Sequence, residues 1–404
     1  MRRMIAGSFL MLAASYLSGC ISNRIYNDEP HDYLRSVEVA DGPSVQTDIA
    51  IIEFDDFGTF WNKRQLLDAI DLIKTRITES EGRVVVPVFV HGWQNNADPD
   101  RKNGDLFRFR ESMARLSAQF GRAAKAGVDS PEAIVGVYLS WRGATTRVPL
   151  ANQLTFWSRR RAAERVASFD MREAMFRLTE AVKAEPESMI VITGHSMGGM
   201  IVAKTLAPSL TTLALAAENG DVPTVIDMVV LQNPALEALD ALQLVEFLKE
   251  IEARIELRRG EEVIGGGGPA LAAITSEADW VTKVAYPTGR VLNNLARATR
   301  KDRPEGQPSQ WHMLTRAVGH VDYLVSHEAY IDDNGELQVE PIEGAWNNTP
   351  FWIIRCSPEI SRNHGDVHNE RFANVIGRLV EINQTFDPTV KTWLVTDQEG
   401  EKDE

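Results

Sequence analysis

One stretch, residues 188–204, constrains the fold of this chain more than any other. The apolar, β-branched run Met189–Thr193 leads directly into Gly194-His195-Ser196-Met197-Gly198, and a second apolar run begins at Met200. This order predicts a strand, a very tight turn and a helix, with Ser196 at the centre of a G-x-S-x-G pattern. Glycines suit such a turn because side chains there would collide with neighbouring backbone. The helix N-terminus would point free N–H groups at Ser196, so the stretch predicts a serine nucleophile.

Strands and helices alternate along most of the remaining chain. Apolar runs predict strands, and residues with helical spacing between them predict amphipathic helices. The predicted strands cover 48–54, 84–90, 133–139, 189–193, 225–231, 270–275 and 351–357. Such alternation predicts an α/β fold with a doubly wound, mostly parallel sheet and helices on both faces. In such sheets the chemistry lies at the carboxyl ends of the strands, where every candidate motif of this chain falls.

The N-terminus carries a separate signal. Arg2 and Arg3 precede an uncharged apolar stretch from Met4 to Leu17, which is short for a membrane span and typical of a secretory signal. The ending Leu17-Ser18-Gly19-Cys20 resembles a bacterial lipobox, which implies a signal peptide over residues 1–19 and acyl chains on Cys20. An ordinary cleaved signal is the alternative. The residues after Cys20 lack the aspartate that marks inner-membrane retention in enterobacterial lipoproteins, so an outer-membrane location facing the periplasm is expected.

Net charge limits the possible binding partners, and the sequence around Cys356 predicts where this cysteine lies. The net charge of −14 argues against nucleic acid and against a basic patch for anionic lipid. Cys356, the second of two cysteines, lies in an apolar run and is expected to be a buried strand residue. The run Arg159–Arg161 is expected to be a solvated helix face.

The motifs together resemble the α/β-hydrolase superfamily of serine esterases and lipases. The resemblance rests on GHSMGG after a strand, an upstream VFVHGW, an acid after a later strand and a histidine before the last helix. It covers about residues 48–382, and its nearest likeness is to poorly characterised bacterial lipoprotein hydrolases. It implies the α/β-hydrolase fold, with an irregular insertion before the last strand, and the chain order Ser, acid, His.

Chain order and loop placement favour His364 as the catalytic base. His364 follows the last strand, with Asp366 expected near the N-cap of a helix that begins near Val367 and His368 in its first turn. The side chain of His195, the variable residue of the turn, is expected to point away. The spacing of His364 and His368 could also suit a metal, but no third ligand cluster supports one.

The acid and the oxyanion hole follow from the same resemblance. Asp279 lies in TSEADWVT after the penultimate strand, and Glu277 is the open alternative. Asn233, after the preceding strand, cannot serve as the carboxylate. Oxyanion stabilisation needs two backbone N–H groups aimed at one point, and the resemblance assigns them to Met197 and Trp93.

The sequence therefore predicts a membrane-anchored serine hydrolase that cleaves small-molecule or lipid esters, with a Ser196–His364–Asp279 triad and no cofactor or metal. An acyltransferase or amidase on the same triad is one alternative, and a non-catalytic envelope scaffold with this fold is another. The expected organisation is a signal peptide over 1–19, a tether over 20–46, the hydrolase domain over 47–390 with a possible lid at 287–350, and an acidic tail over 391–404.

Overall fold

The computed structural model describes residues 24–39, 42–80, 83–145, 155–219, 226–259, 268–294, 297–300, 306–344 and 349–385. The expected signal peptide, Cys20 and the acidic tail lie outside these residues. The described members of the hydrophobic clusters run from Tyr26 to Ile382, so this part of the chain contains the described core.

Ten strands form a single sheet. They are β1 (Leu34–Ser36), β2 (Gln46–Glu53), β3 (Val84–Val90), β4 (Ala133–Ser140), β5 (Met189–His195), β6 (Met228–Gln232), β7 (Leu271–Ser276), β8 (His327–Ile331), β9 (Leu337–Pro341) and β10 (Phe351–Cys356). The strand order is β1-β2-β4-β3-β5-β6-β7-β10-β8-β9. The strands from β2 to β8 in this order pair in parallel, and β1 and β9 are antiparallel edge strands.

Helices connect the strands. They are α1 (Pro30–Tyr33), α2 (Arg64–Glu79), α3 (Asp105–Lys125), α4 (Phe156–Val166), α5 (Phe169–Lys183), α6 (Met197–Asn219), α7 (Ala238–Arg259), α8 (Tyr286–Asn294), α9 (Gln310–Thr315) and α10 (Glu370–Thr385). A single π-helical turn, Val281–Ala285, precedes α8, and two short 3₁₀ turns, Val318–His320 and Asp322–Leu324, follow α9.

Both faces of the sheet are covered because successive strand residues point to opposite sides. In β2, Ala50 and Ile52 belong to the large cluster that includes α2, α4, α5, α6 and α7, whereas Ile49 and Ile51 belong to the cluster with α3. Residues of α10 cover the other half of this second face, against β5, β6, β7 and β10. The predicted doubly wound, mostly parallel α/β sheet with helices on both faces is confirmed.

The register brings the carboxyl ends of the central strands to one level. His195 pairs with Gln232, Gln232 with Ile274, and Ser276 with Cys356. The segments that follow β5, β6, β7 and β10 therefore meet at one edge of the sheet, here called the carboxyl edge.

The insertion before the last strand contains more regular structure than its composition indicates. Residues 287–350 include most of α8, the helix α9, both 3₁₀ turns and the antiparallel hairpin β8–β9. Strand β8 pairs in parallel with β10, so the insertion extends the sheet at this side. A role for the insertion as a lid stays a prediction.

The described part of the expected tether over 20–46 packs against the domain. Tyr33 is buried, its hydroxyl donates to Asp68 at 2.7 Å, and β1 pairs with β2. The backbone N–H groups of Tyr26 and Asn27 donate to the carboxylate of Glu53. Partners distant in sequence therefore order a segment whose own pattern is polar and aperiodic.

The expectation for the run Arg159–Arg161 is corrected. Arg159 and Arg160 are buried, and only Arg161 faces solvent. Arg159 forms an ion pair with Asp56 at 2.7 Å, and Arg160 forms one with Glu237 at 2.8 Å. Buried guanidinium groups need such charge partners, and both partners come from remote parts of the chain.

Candidate active site

Ser196 lies on a strained turn between β5 and α6. Its φ angle is +57°, in the left-handed region that a residue with a Cβ atom rarely adopts. Its N–H donates to the carbonyl of Gln232 at 2.9 Å, and its own carbonyl accepts from Ala235 at 3.0 Å. A Cβ atom at Gly198 would lie 2.1 Å from the Val90 carbonyl oxygen. The glycine is therefore required by close backbone packing, as the sequence predicts.

His364 reaches Ser196 from the loop between β10 and α10. Its Nε2 lies 2.8 Å from Ser196 Oγ, and its Nδ1 lies 2.8 Å from Asp279 Oδ2. A carboxylate can only accept hydrogen bonds, so Nδ1 carries the proton, and Nε2 is left to accept the serine hydroxyl proton. The structure thus brings together the three residues that the sequence proposes, from three separate loops of the carboxyl edge.

Asp279, rather than Glu277, faces the histidine. Asp279 is fully buried, and Glu277 is exposed. The Asp279 Oδ1 atom accepts the backbone N–H groups of Val281 at 3.0 Å and Thr282 at 3.2 Å, and Oδ2 accepts the Thr282 hydroxyl at 2.5 Å. Burial opposes ionisation, but the bonds from His364 and Thr282 outweigh it and lower the pKa of Asp279. The carboxylate stays charged beside the imidazole.

Burial also affects His364 itself. Loss of water around the ring lowers the pKa of His364 below its ordinary value of 6.5, and the bond to Asp279 opposes this effect. The ring is therefore neutral at pH 7, which is the state that a general base needs.

Two residues outside the three hold the main chain of His364. Its carbonyl oxygen accepts a bond from His195 Nε2 at 2.9 Å and another from Asn233 Nδ2 at 3.0 Å. Asn233 has a φ angle of +43°, and its Oδ1 accepts the N–H of Ser276 at 2.9 Å. The side chain of His195 contacts the loop that carries His364, and the two imidazole rings lie 5.0 Å apart.

These positioning contacts were not apparent from the sequence. By pattern, Asn233 is notable only as a position that lacks a carboxylate. No sequence pattern links Thr282 to His320, although the Thr282 hydroxyl oxygen lies 2.8 Å from His320 Nε2. Since that hydroxyl donates to Asp279, His320 donates to the hydroxyl oxygen and completes the support of the acid. The placement of Asn233 just after a strand end was the one available signal.

A buried carboxylate, Asp105, lies behind His195. Asp105 Oδ2 is 3.7 Å from His195 Nδ1, and Oδ1 is 3.7 Å from His368 Nε2, while Asn95 Nδ2 donates to Oδ2 at 2.8 Å. Burial raises the pKa of Asp105, but the two imidazoles outweigh this effect and hold the pKa well below its usual range. The first turn of α3 thus adds a negative charge close to the back of the site.

The segment His91-Gly92-Trp93 packs directly against the turn. A Cβ atom at Gly92 would lie 2.9 Å from the Cβ atom of Ser196. His91 Nε2 accepts the N–H of Trp141 at 3.1 Å, and its Nδ1 donates to the Gly92 carbonyl at 2.9 Å. Burial lowers the pKa of His91 to about 4, so the ring is neutral. It holds the main chain of Gly92 and Trp141 through these two hydrogen bonds. Gly92 therefore lies against Ser196, and α6 begins at Met197, directly after the serine.

The position of His368 differs from expectation. Helix α10 begins at Glu370, so His368 precedes it instead of lying in its first turn. The side chain of Asn369 accepts the N–H of Phe372 at 2.9 Å and caps the helix, whereas Asp366 pairs with Arg362 at 2.9 Å. Asparagine at this cap moves the helix start three residues beyond Val367.

Two features are absent from the described residues. They contain no group of three or more His, Cys, Asp or Glu side chains arranged to hold a metal ion. No helix among them is long and apolar enough to cross a membrane.

Comparison with known proteins does not identify a family for this chain. No protein-family model matches the chain, and no curated protein matches it. Among solved structures, phospholipase PlaB from Legionella pneumophila aligns over 77% of this chain at 13% sequence identity, with a TM-score of 0.32. The chain spans 62% of that structure's length.

Proposed function

We propose that this protein is a serine hydrolase that cleaves carboxylic esters through an acyl-enzyme. The observation that supports this most is the chain of two 2.8 Å hydrogen bonds from Ser196 Oγ through His364 to Asp279. The positive φ angle of Ser196 and the helix that starts behind it add support, because both are features of a nucleophile elbow.

In the proposed reaction, Ser196 Oγ attacks the ester carbonyl while His364 Nε2 takes its proton. The backbone N–H groups of Met197 and Trp93 donate to the oxyanion of the tetrahedral intermediate. His364 then returns the proton to the leaving alcohol, which departs and leaves the acyl group on Ser196. A water molecule, activated by His364 in the same way, releases the carboxylic acid. Asp279 holds the imidazole in the Nδ1–H tautomer and stabilises its charged form.

A fluorophosphonate probe tests the nucleophile. Wild-type protein should be labelled at Ser196, and the Ser196→Ala and His364→Ala variants should not be labelled. His368→Ala is the matched control, since this histidine lies 3.7 Å from Asp105 and makes no contact with Ser196 among the described interactions. Absence of labelling in folded wild-type protein would refute the proposal.

The proposed location is the bacterial cell envelope, with the protein anchored to the outer membrane through acyl chains on Cys20. The motif Leu17-Ser18-Gly19-Cys20 supports this part. Membrane fractionation of wild type and Cys20→Ser tests it: wild type should sediment with the outer membrane and be extracted only by detergent. Equal release of both proteins by salt would contradict the anchor.

A further inference from the structure

Large exposed hydrophobic side chains collect at one end of the molecule. Seven lie at the carboxyl edge, in the segments next to the strand ends: Phe57, Trp61, Leu67, Phe107, Phe169, Trp280 and Val284. The other two among the described residues, Val128 and Leu215, lie at the C-terminal end of α3 and near that of α6, on the opposite edge. We call the first seven the rim.

The rim is spread across the sheet rather than concentrated at one side. Phe57 and Trp61 follow β2 near one end of the strand order, and Trp280 and Val284 follow β7 beyond the central strand β5 that carries Ser196. Phe169 begins α5 beside the Phe57 loop, because Ser168 Oγ lies 3.5 Å from the Gly58 carbonyl. Apolar side chains therefore lie on both sides of the candidate nucleophile.

These side chains are unusually open to solvent. Phe57 is 71% exposed, Phe169 is 75% exposed and Trp280 is 61% exposed. Single exposed apolar residues are common, whereas a set of them collected at one edge of the molecule marks an interaction surface. Tryptophan and phenylalanine are also the residues that proteins place at the boundary between acyl chains and headgroups.

The first described residues of the chain indicate what covers this surface. Tyr26 and Asn27 are held by Glu53, the last residue of β2, with an N–H to carboxylate distance of 2.8 Å at Asn27. The Asn27 side chain also donates to Ala97, in the segment after β3, at 3.0 Å. The first described residues therefore lie at the carboxyl edge. From Arg24 back to Cys20 is four residues, which span about 14 Å at most when extended.

We propose that the rim docks on the bilayer that holds the acylated Cys20, and that Ser196 takes its ester from a lipid in that bilayer. The second half of this proposal rests on the proposed hydrolase activity. The docking does not rest on that activity, and its occupant is argued from the proposed acylation of Cys20. Because a tether of about 14 Å is shorter than the domain, an anchor at Cys20 keeps the carboxyl edge, and not the opposite edge, against the membrane. Since the net charge is −14, docking depends on apolar insertion and should not weaken when the salt concentration is raised.

Vesicle binding by residues 21–404 tests the docking without the anchor, since this form contains all the described core. Vesicles of phosphatidylethanolamine and phosphatidylglycerol should bind the wild type at both 0.1 M and 0.5 M NaCl. The F57S/F169S variant should bind at least tenfold more weakly, and the matched control V128S/L215S should bind like wild type. Equal losses in the two variants, or no binding by wild type, would overturn the docking.

A dye attached at single cysteines gives a second readout that does not depend on loss of binding. Cys356 is buried in β10, and burial raises the pKa of its thiol to about 12, so it will not compete for the label. An environment-sensitive dye on F57C should shift to the blue when vesicles are added, and the same dye on V128C should not. A shift at both positions or at neither would contradict the proposed orientation.

Turnover separates the two halves. The F57S/F169S variant should hydrolyse a soluble short-chain ester within twofold of wild type and a vesicle phospholipid at least tenfold more slowly. Equal phospholipid turnover by variant and wild type would overturn the lipid-substrate half. Docking that occurs in a protein whose Ser196 does not react with fluorophosphonate would refute the proposed function and leave the docking surface supported.

Discussion

Replacing Asp279 with Asn should invert the tautomer of His364 without disturbing the fold. Oδ1 of Asp279 accepts two backbone N–H groups, from Val281 and Thr282. Since backbone donors cannot reverse, the asparagine oxygen must occupy the Oδ1 position and its NH₂ group must occupy Oδ2. That NH₂ group then faces His364 Nδ1 at about the wild-type distance of 2.8 Å. It donates to Nδ1, so the ring proton moves to Nε2 and the ring can no longer accept the proton of Ser196.

The expected loss is large because the base is disabled rather than displaced. The same substitution in a well-studied serine protease triad lowers kcat by roughly 10⁴-fold. At about 1.36 kcal/mol per factor of ten, this corresponds to about 5.4 kcal/mol of transition-state stabilisation. We expect Asp279→Asn to lower kcat for a p-nitrophenyl ester by roughly 10³–10⁴-fold. Because the NH₂ group also removes the acceptor of the Thr282 hydroxyl, the variant should lose about 1–3 kcal/mol of unfolding free energy in urea and still be folded in the assay. Both quantities are measurable on one preparation.

Glu277→Gln is the matched control, because Glu277 is an acid two residues away that is exposed and makes no contact with His364 among the described interactions. It should keep kcat within twofold of wild type. An Asp279→Asn variant that retains more than a tenth of wild-type kcat would refute the tautomer argument. A larger loss of kcat in Glu277→Gln than in Asp279→Asn would show that Glu277, and not Asp279, is the acid of the triad.

The remaining predictions concern pH, packing and the support of the acid. Because burial lowers the pKa of His364, the ring stays neutral further into acid, and the acidic limb of kcat/KM should fall below pH 6.5; a midpoint above 6.5 would contradict this. Gly198→Ala should destabilise the protein by about 1–3 kcal/mol in urea unfolding and abolish fluorophosphonate labelling, since its Cβ would meet backbone at 2.1 Å. Gly377→Ala, whose Cβ would meet no atom within 4 Å, should instead be neutral or stabilising by up to about 1 kcal/mol. Thr282→Val removes the donor to Asp279 and the acceptor of His320, so it should cost about 1–3 kcal/mol of unfolding free energy while lowering kcat far less than Asp279→Asn.

The sequence by itself determined the parts of this protein that depend on local pattern. The periodicity and the order of the apolar runs specify the alternating strands and helices. The central strands therefore lie within a few residues of their predicted positions. The turn around Ser196 is equally local, because its glycines and its apolar flanks lie within one continuous stretch. Chain order and strand ends then placed His364 and Asp279 at the correct edge.

Only the tertiary structure decided matters that depend on partners remote in sequence. Glu277 and Asp279 are two residues apart and equivalent by pattern, and the choice between them depends on which carboxylate meets a histidine 85 residues beyond Asp279. The sequence pattern predicts that Arg159 is a solvated charge. In the folded protein Asp56, 103 residues away, lies beside it and forms an ion pair with it. The same holds for the segment at Tyr26, whose order depends on Glu53. Local pattern carries propensity and amphipathicity, whereas burial of a charge and the geometry of a hydrogen bond depend on which distant groups the folded sheet brings together.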